Sequence, residues 1–252
     1  MKKTLFLVAV FALLAIVSCN KNSTPEPAPQ PQPVTRIAAV IHKNNNIPQG
    51  MTLASTYRWE NGKLVGECDS IVIPMTTTVY YNDYTCENGN VVKITEETGL
   101  WEYTFTYEDG RLTEFLNKMG NDTASWGKVI SYTNDNQVET IMSYNEFMTT
   151  KWTLVWENGD AIEVKEEIIA PAFMVSTYVD RYTYDDKTNA YTGTPLAYSI
   201  IDGNGNKVAL RMSKHNQIEE GVNYEYNADG FLVSAVKPND STFYTYMEQV
   251  LR

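Results

Sequence analysis

A chain of 252 residues with 31 acidic against 20 basic side chains, net charge −11, has the wrong overall field for a nucleic-acid backbone. Two histidines and three cysteines leave little material for a metal centre or a His-assisted nucleophile, and no cofactor motif is present. Seventeen tyrosines and five tryptophans suit a half-buried β-sheet, where planar rings pack on a pleated surface.

At the N-terminus, Met1-Lys2-Lys3 forms a short basic region, and Leu5 to Val17 is an apolar run of 13 residues. That length fits the apolar part of a signal peptide and is too short to span a bilayer as a helix. The run ends in Ile16-Val17-Ser18-Cys19, which resembles a lipobox: a bulky apolar residue, a tolerant position, a small residue, then the cysteine that takes the lipid. Several acyl chains on Cys19 would anchor the protein stably where one chain binds only marginally. The plainer alternative is an ordinary cleaved signal with a chance cysteine. Residues 1–18 thus read as signal peptide, and loss of Lys2 and Lys3 makes the mature chain still more acidic.

Residues 19–36 read as lipidated cysteine and tether. Pro25, Pro27, Pro29, Pro31 and Pro33 alternate with Glu26, Ala28, Gln30 and Gln32, a pattern with no apolar face to bury and a preference for extended polyproline geometry. It predicts a semi-rigid stalk. A partner motif is the competing reading, and no flanking aromatic or basic residue supports it.

From residue 37 to 252 the chain repeats a β-hairpin unit: an alternating aromatic strand, a turn with Asn-Gly or Asp-Gly, then an apolar residue two places after the glycine. Clear copies are Trp59-Glu60-Asn61-Gly62 with Leu64, Glu87-Asn88-Gly89 with Val91, and Tyr107-Glu108-Asp109-Gly110 with Leu112. Trp156-Glu157-Asn158-Gly159 with Ala161 and Tyr226 to Gly230 with Leu232 follow. Degenerate copies lie around Asn134-Asp135-Asn136, Asp185-Asp186-Lys187 and Asp202-Gly203-Asn204-Gly205. Asn-Gly and Asp-Gly tolerate positive φ at both central turn positions, the hand that matches strand twist. The strands show period two, as in Tyr103, Phe105 and Tyr107, and no comparably long stretch has helical period. The predicted fold is all-β, an antiparallel meander of roughly 14–16 strands forming a curled or barrel-like sheet, because successive strands usually pair.

The units Tyr107 to Leu112 and Tyr226 to Leu232 look like the YD-type repeats of Rhs-like shell proteins. The whole, with lipobox, proline-rich tether and degenerate hairpins, more closely resembles the Bacteroidetes lipoproteins of unknown function that have a porin-like fold. The resemblance implies a curled antiparallel sheet and supplies no active site. Encapsulation does not carry over, since Rhs shells use many more repeats.

A closed barrel of about 16 strands has a lumen too wide for side chains to fill. Its apolar face therefore either meets lipid or is covered by the sheet folding on itself. Strict alternation sets Glu96 with Val92 and Ile94, Glu114 with Leu112, Glu166 with Ile162 and Val164, and Asp180 with Tyr178 and Tyr182. Carboxylates on that face, each costing up to about 2 kcal/mol or more in lipid, favour a water-soluble barrel on a tether. Bulges would move some of them.

Candidate sites are sparse. Cys68 and Cys86 lie on successive predicted strands within reach of a cross-strand disulfide, the alternative being two free thiols. His42 and His215 are too few and too far apart in sequence for zinc. Glu166-Glu167 and Glu219-Glu220 are adjacent and point to opposite strand faces, which suits solvated charge better than glycoside hydrolysis. Asp202 to Lys207 begins like a calcium loop, but Lys207 and Ser213 stand where such a loop needs glycine and glutamate, so a plain hairpin turn is expected. The best lead is aromatic: Trp101, Trp126 and Trp152 are candidate ligand-binding rings, against the bland reading that they fill a core.

Together these features predict a non-enzymatic, lipid-anchored protein of the outer membrane, on its periplasmic face or the cell surface. It meets the membrane through its N-terminal lipid and acts as a binding or interaction module for a glycan, envelope lipid or protein partner. The alternatives are a structural or assembly accessory, a membrane-embedded barrel, or a hydrolase, the last requiring carboxylates that converge across strands.

Overall fold

The computed structural model describes residues 33–44, 51–73, 76–169, 175–201 and 204–250. The expected signal peptide, Cys19 and the part of the expected tether up to Gln32 lie outside them, whereas Pro33 to Arg36, expected as the end of the tether, belong to the first strand. β1 (Pro33–Asn44) leads to β2 (Met51–Glu60), β3 (Lys63–Ile73), β4 (Thr76–Glu87), β5 (Asn90–Glu96), β6 (Trp101–Glu108) and β7 (Arg111–Met119). β8 (Asp122–Tyr132), β9 (Val138–Tyr144), β10 (Thr149–Glu157), β11 (Asp160–Ile169) and β12 (Val175–Arg181) continue the meander. Then come β13 (Thr183–Thr188), two short helices, α1 (Leu196–Ile200) and α2 (Gly205–Met212), and finally β14 (His215–Ile218), β15 (Asn223–Tyr226), β16 (Leu232–Lys237) and β17 (Asp240–Val250). The fold is all-β and antiparallel, as expected. Fifteen strands form one sheet in the order β12 down to β1, then β17, β16 and β15, while β13 pairs only with β14. Sequential pairing thus holds through β12, and β17 joins β1 with Ile41 opposite Phe243.

The turns behave as their chemistry requires. Asn61 and Gly62 have φ of 49° and 79°, and Asp109 and Gly110 have 50° and 77°. Positive φ at both positions is the type I′ geometry that closes a two-residue hairpin.

Just after the turns that join β2 to β3, β4 to β5, β6 to β7, β8 to β9, β10 to β11 and β15 to β16, the register slips by one residue at the same place in the unit. Arg58 pairs with Gly66 but Trp59 with Leu64, which leaves Val65 as a bulge. Val92, Thr113, Glu139, Ile162 and Val233 are skipped in the same way. A bulge takes the neighbouring carbonyl out of the ladder, and a carbonyl with no partner in a buried place costs about 1–3 kcal/mol. The side chain at the corresponding place in the adjoining unit supplies the partner. Trp59 Nε1 donates to Ile37 O at 2.8 Å, Tyr107 Oη to Val91 O at 2.9 Å, and Tyr132 Oη to Leu112 O at 2.7 Å. Trp156 Nε1 to Val138 O, Tyr184 Oη to Ala161 O and Tyr246 Oη to Leu232 O continue the series, and the Cys86 thiol stands in at Leu64 O. Trp59, Tyr107, Tyr132 and Trp156, each ahead of its turn, therefore pack their rings inward and use their polar tips on the neighbouring bulge.

The bulges also re-sort the faces. Thr113 as an extra residue puts Leu112 inside and Glu114 outside, where Glu114 pairs with Lys128 at 2.7 Å. Val91 takes the buried position expected for Val92, and Ala161 that expected for Ile162. Strict alternation fails at these sites because each bulge adds one residue to one strand only.

The apolar inner face is covered by the chain's own segment from Thr183 to Ile218. Ala197, Ile200, Val208 and Ala209 are fully buried with Ile37, Ile94, Leu112, Ile141, Leu154 and Val164 from the strands. Helix α1 reaches β3, where Tyr198 Oη lies 2.7 Å from Glu67, and α2 packs on β10 and β11. A flat sheet would hold β3 and β10 about 34 Å apart. Two helices packed together lie about 8–10 Å apart, so the sheet wraps around them. Lining by lipid or by the sheet itself were the expected ways to cover this face, and an inserted helical segment does so instead.

Two expected hairpin turns belong to this segment. Asp185-Asp186-Lys187 lies within β13, where the Asp185 carboxylate accepts from the backbone and side-chain nitrogens of Asn216 and from Tyr226 Oη. Asp202 and Gly203 of the other expected turn lie outside the described residues, and Asn204 begins a helix, its side chain accepting from Asn206 N and Lys207 N.

Candidate functional site

The inner faces of β2 to β6, with α1 and α2, line an open cleft of about 420 Å³. This lies within the roughly 300–1,000 Å³ range of small-molecule sites. Register builds one wall. Tyr57 is opposite Glu67, Glu67 opposite Asn82, and Asn82 opposite Glu96, so phenol, carboxylate, amide and carboxylate form one row across four strands. A second row sets Ser55 opposite Asp69 and Asp69 opposite Tyr80. Trp101 and Tyr103 from β6 complete the strand side, and Tyr198, Ile201, Lys207 and Arg211 come from the helical segment.

Glu67 is 7 % exposed, and both its oxygens are engaged: Tyr198 Oη donates at 2.7 Å and Tyr84 Oη at 3.0 Å. Burial, reinforced by the neighbouring Asp69 charge, raises its pKa to about 7 despite those hydrogen bonds. Burial likewise holds the Tyr57, Tyr84 and Tyr198 phenols well above their ordinary range. Tyr57 Oη and Tyr198 Oη are 2.8 Å apart. The Arg211 guanidinium lies 3.9 Å from the centre of the Tyr198 ring, and its Nη1 donates to Tyr198 O at 3.0 Å. This network fastens α1 and α2 to β3 and β4. The remaining carboxylates are less committed: Asp69 Oδ1 accepts from Ser55 Oγ at 2.5 Å, and Glu96 Oε2 from Thr98 Oγ1 at 2.7 Å.

The three tryptophans singled out from the sequence do not meet. Trp101 lines the cleft. Trp126 is 40 % exposed and stacks on Tyr144 with centroids 4.0 Å apart, outside the cleft. Trp152 is a core residue at 6 % exposure, against which Gly205 packs so closely that an added Cβ would meet its Cβ at 2.7 Å.

Cys68 and Cys86 are both free thiols, the second of the two readings left open by the sequence. Cys68 pairs with Tyr81 and points away from the Glu67 face, whereas Cys86 reaches inward to Leu64 O. The two are out of register and on opposite faces, so no rotamer joins them. His42 lies by Thr242 and Asp240, and His215 Nδ1 is 2.7 Å from Asp160. Among the described residues no three His, Cys, Asp or Glu side chains cluster in a way that suits a metal ion.

Sequence reasoning missed Glu67, Asp69, Asn82, Tyr198 and Arg211. The signal lay in the repeat: once the bulge after Leu64 is allowed for, Glu67 and Asp69 fall on the inner face.

Neither the protein-family models nor the curated proteins compared with the sequence include a match. Among solved structures, the crystal structure of a porin-like protein from Bacteroides uniformis ATCC 8492 is similar over 87 % of this chain and all of that one, with a TM-score of 0.53 and 14 % identity. The two share a fold. That likeness extends to the curled antiparallel sheet and, at this identity, to nothing more specific.

Proposed function

We propose that this chain is a lipid-anchored protein of the bacterial outer membrane whose folded part stands in water and binds a small polar ligand in the cleft. The cleft carries this reading, because it gathers aromatic rings and hydrogen-bonding groups from five strands and two helices around one cleft that stays open to solvent. The lipobox ending in Cys19 and the proline-rich stretch after it support the anchor. The outer face supports a watery setting: Lys93 pairs with Glu102 at 2.6 Å, Lys128 with Glu114 at 2.7 Å, Lys165 with Glu167 at 3.0 Å and Arg181 with Glu163 at 2.9 Å. A lysine or arginine on a lipid-facing strand costs about 2–4 kcal/mol at mid-membrane, so a band of them disfavours the embedded-barrel alternative. The exposed pairs themselves add little stability.

Hydrolysis is the second reading, favoured by Glu67 and Glu96 flanking Asn82 in one row. Both oxygens of Glu67 already accept from buried tyrosines, which suits a fastening better than a proton donor to substrate.

Metabolic labelling with a fatty acid should mark the wild-type protein and leave Cys19→Ser unlabelled, and a chain starting at Asn20, produced without the apolar segment, should stay soluble without detergent. Absence of label on the wild type would refute the anchor, and a detergent requirement in the chain starting at Asn20 would refute the water-exposed domain.

A further inference from the structure

We infer that the cleft is a saccharide site, with Trp101 as a stacking platform and Asp69 and Glu96 as hydroxyl acceptors. This rests on the reading that the cleft is where the protein binds. The strand wall offers mainly acceptors: the carboxylate oxygens of Asp69 and Glu96 accept, and Asn82 both accepts and donates. A fitting ligand therefore brings donors and no negative charge. Asp69 and Glu96 each spend one oxygen on Ser55 or Thr98, which leaves the second oxygen of each for such donors.

The rings set the second requirement. Tyr80, Trp101 and Tyr103 bring flat apolar surface to the same wall, and a flat ring wants a ligand with an apolar face. A pyranose has both parts, a face of C–H bonds and an edge of hydroxyls. The cations do not call for an anion instead. Arg211 holds the Tyr198 ring and, through Nη1, the Tyr198 carbonyl, which leaves its buried Nε as one donor for a neutral hydroxyl or ring oxygen, and Lys207 has an interaction of its own. Glu67 is a positioning residue here, holding α1 as the far wall through Tyr198.

The test is titration of the full mature chain, in detergent, with maltotriose, cellotriose and the trimer of N-acetylglucosamine, and with triglycine and inorganic phosphate as contrasts. Tryptophan fluorescence and calorimetry are the readouts. At least one trisaccharide should bind and triglycine and phosphate should not. Trp101→Ala and Glu96→Gln should each weaken that binding by about tenfold or more, and Trp126→Ala on the outer surface should leave it unchanged. Unfolding midpoints of the variants separate lost binding from lost fold, and Glu96→Gln, nearly isosteric, keeps the test open if Trp101→Ala misfolds. Sugar binding that survives both cleft variants overturns the assignment. Binding of triglycine or phosphate that is lost with Trp101→Ala overturns the saccharide class and leaves the cleft standing as the binding site. No response to any probe overturns both.

Discussion

Trp156 donates its indole N–H to the carbonyl of Val138 at 2.7 Å, a residue 18 positions back in the adjoining hairpin. Val138 is the residue before the bulge at Glu139, so the indole satisfies the group that the bulge withdraws from the ladder. The same contact recurs around the sheet, and it explains why an aromatic residue stands just ahead of the turn in unit after unit.

Tyr132→Phe removes the donor to Leu112 O while keeping the ring. The expected cost is about 1–2 kcal/mol, read as a lower urea midpoint at unchanged slope. Combining it with Tyr246→Phe, which frees Leu232 O on a distant part of the sheet, should give nearly additive losses. An unchanged midpoint for both single variants would mean that the bulge carbonyls do not depend on these hydroxyls.

Glu67 makes stability depend on pH. Its carboxyl has a pKa near 7 in the folded chain against an ordinary 4.5, so the folded state holds a proton that the unfolded state releases. Stability should therefore fall as pH rises from about 4.5 to about 7 and level off above, by up to the order of 3 kcal/mol. Glu67→Gln should flatten that slope between pH 5 and pH 8, as followed by urea unfolding at each pH. An equal slope in the variant would assign the effect to another group.

Gly205→Ala should loosen the seat of α2. The added Cβ meets Cβ, Cγ and Cδ1 of Trp152 at 2.7–2.8 Å, the near end of a buried side chain rather than a mobile tip. Overpacking of this kind costs about 1–3 kcal/mol, and the expected sign is a drop in thermal midpoint with a changed Trp152 emission. A neutral result would show that α2 shifts freely against β10.

Cys68 and Cys86 should both react with a thiol reagent in the unfolded protein without prior reduction. Burial raises the Cys86 thiol pKa, which slows its reaction in the folded state. An intact mass short by two hydrogens after purification from an oxidising compartment would contradict the register.

Much of the sheet was legible from short range. Asn61-Gly62, Asp109-Gly110 and their counterparts demand positive φ at two positions, and alternation on either side does the rest, so the hairpins through β12 follow from residues within a few places of one another. The helical segment was not legible, since α1 and α2 are too short to show a periodicity. Asp185 and Asn204 also resemble turn residues until their partners, Asn216 and the amides of α2, are known. Trp101 was picked out together with Trp126 and Trp152, yet only the fold separates a cleft ring from a surface ring and a core ring.

By itself the sequence determined the all-β hairpin architecture and the acidic character, because both depend on local backbone preference and on composition. The tertiary structure alone decided that the sheet wraps around an inserted segment, that Glu67, Asn82 and Glu96 share a row, and that the two thiols face apart. Each of these depends on register, and one bulge residue inverts every side chain beyond it while leaving hydrophobic alternation in the sequence almost unmarked.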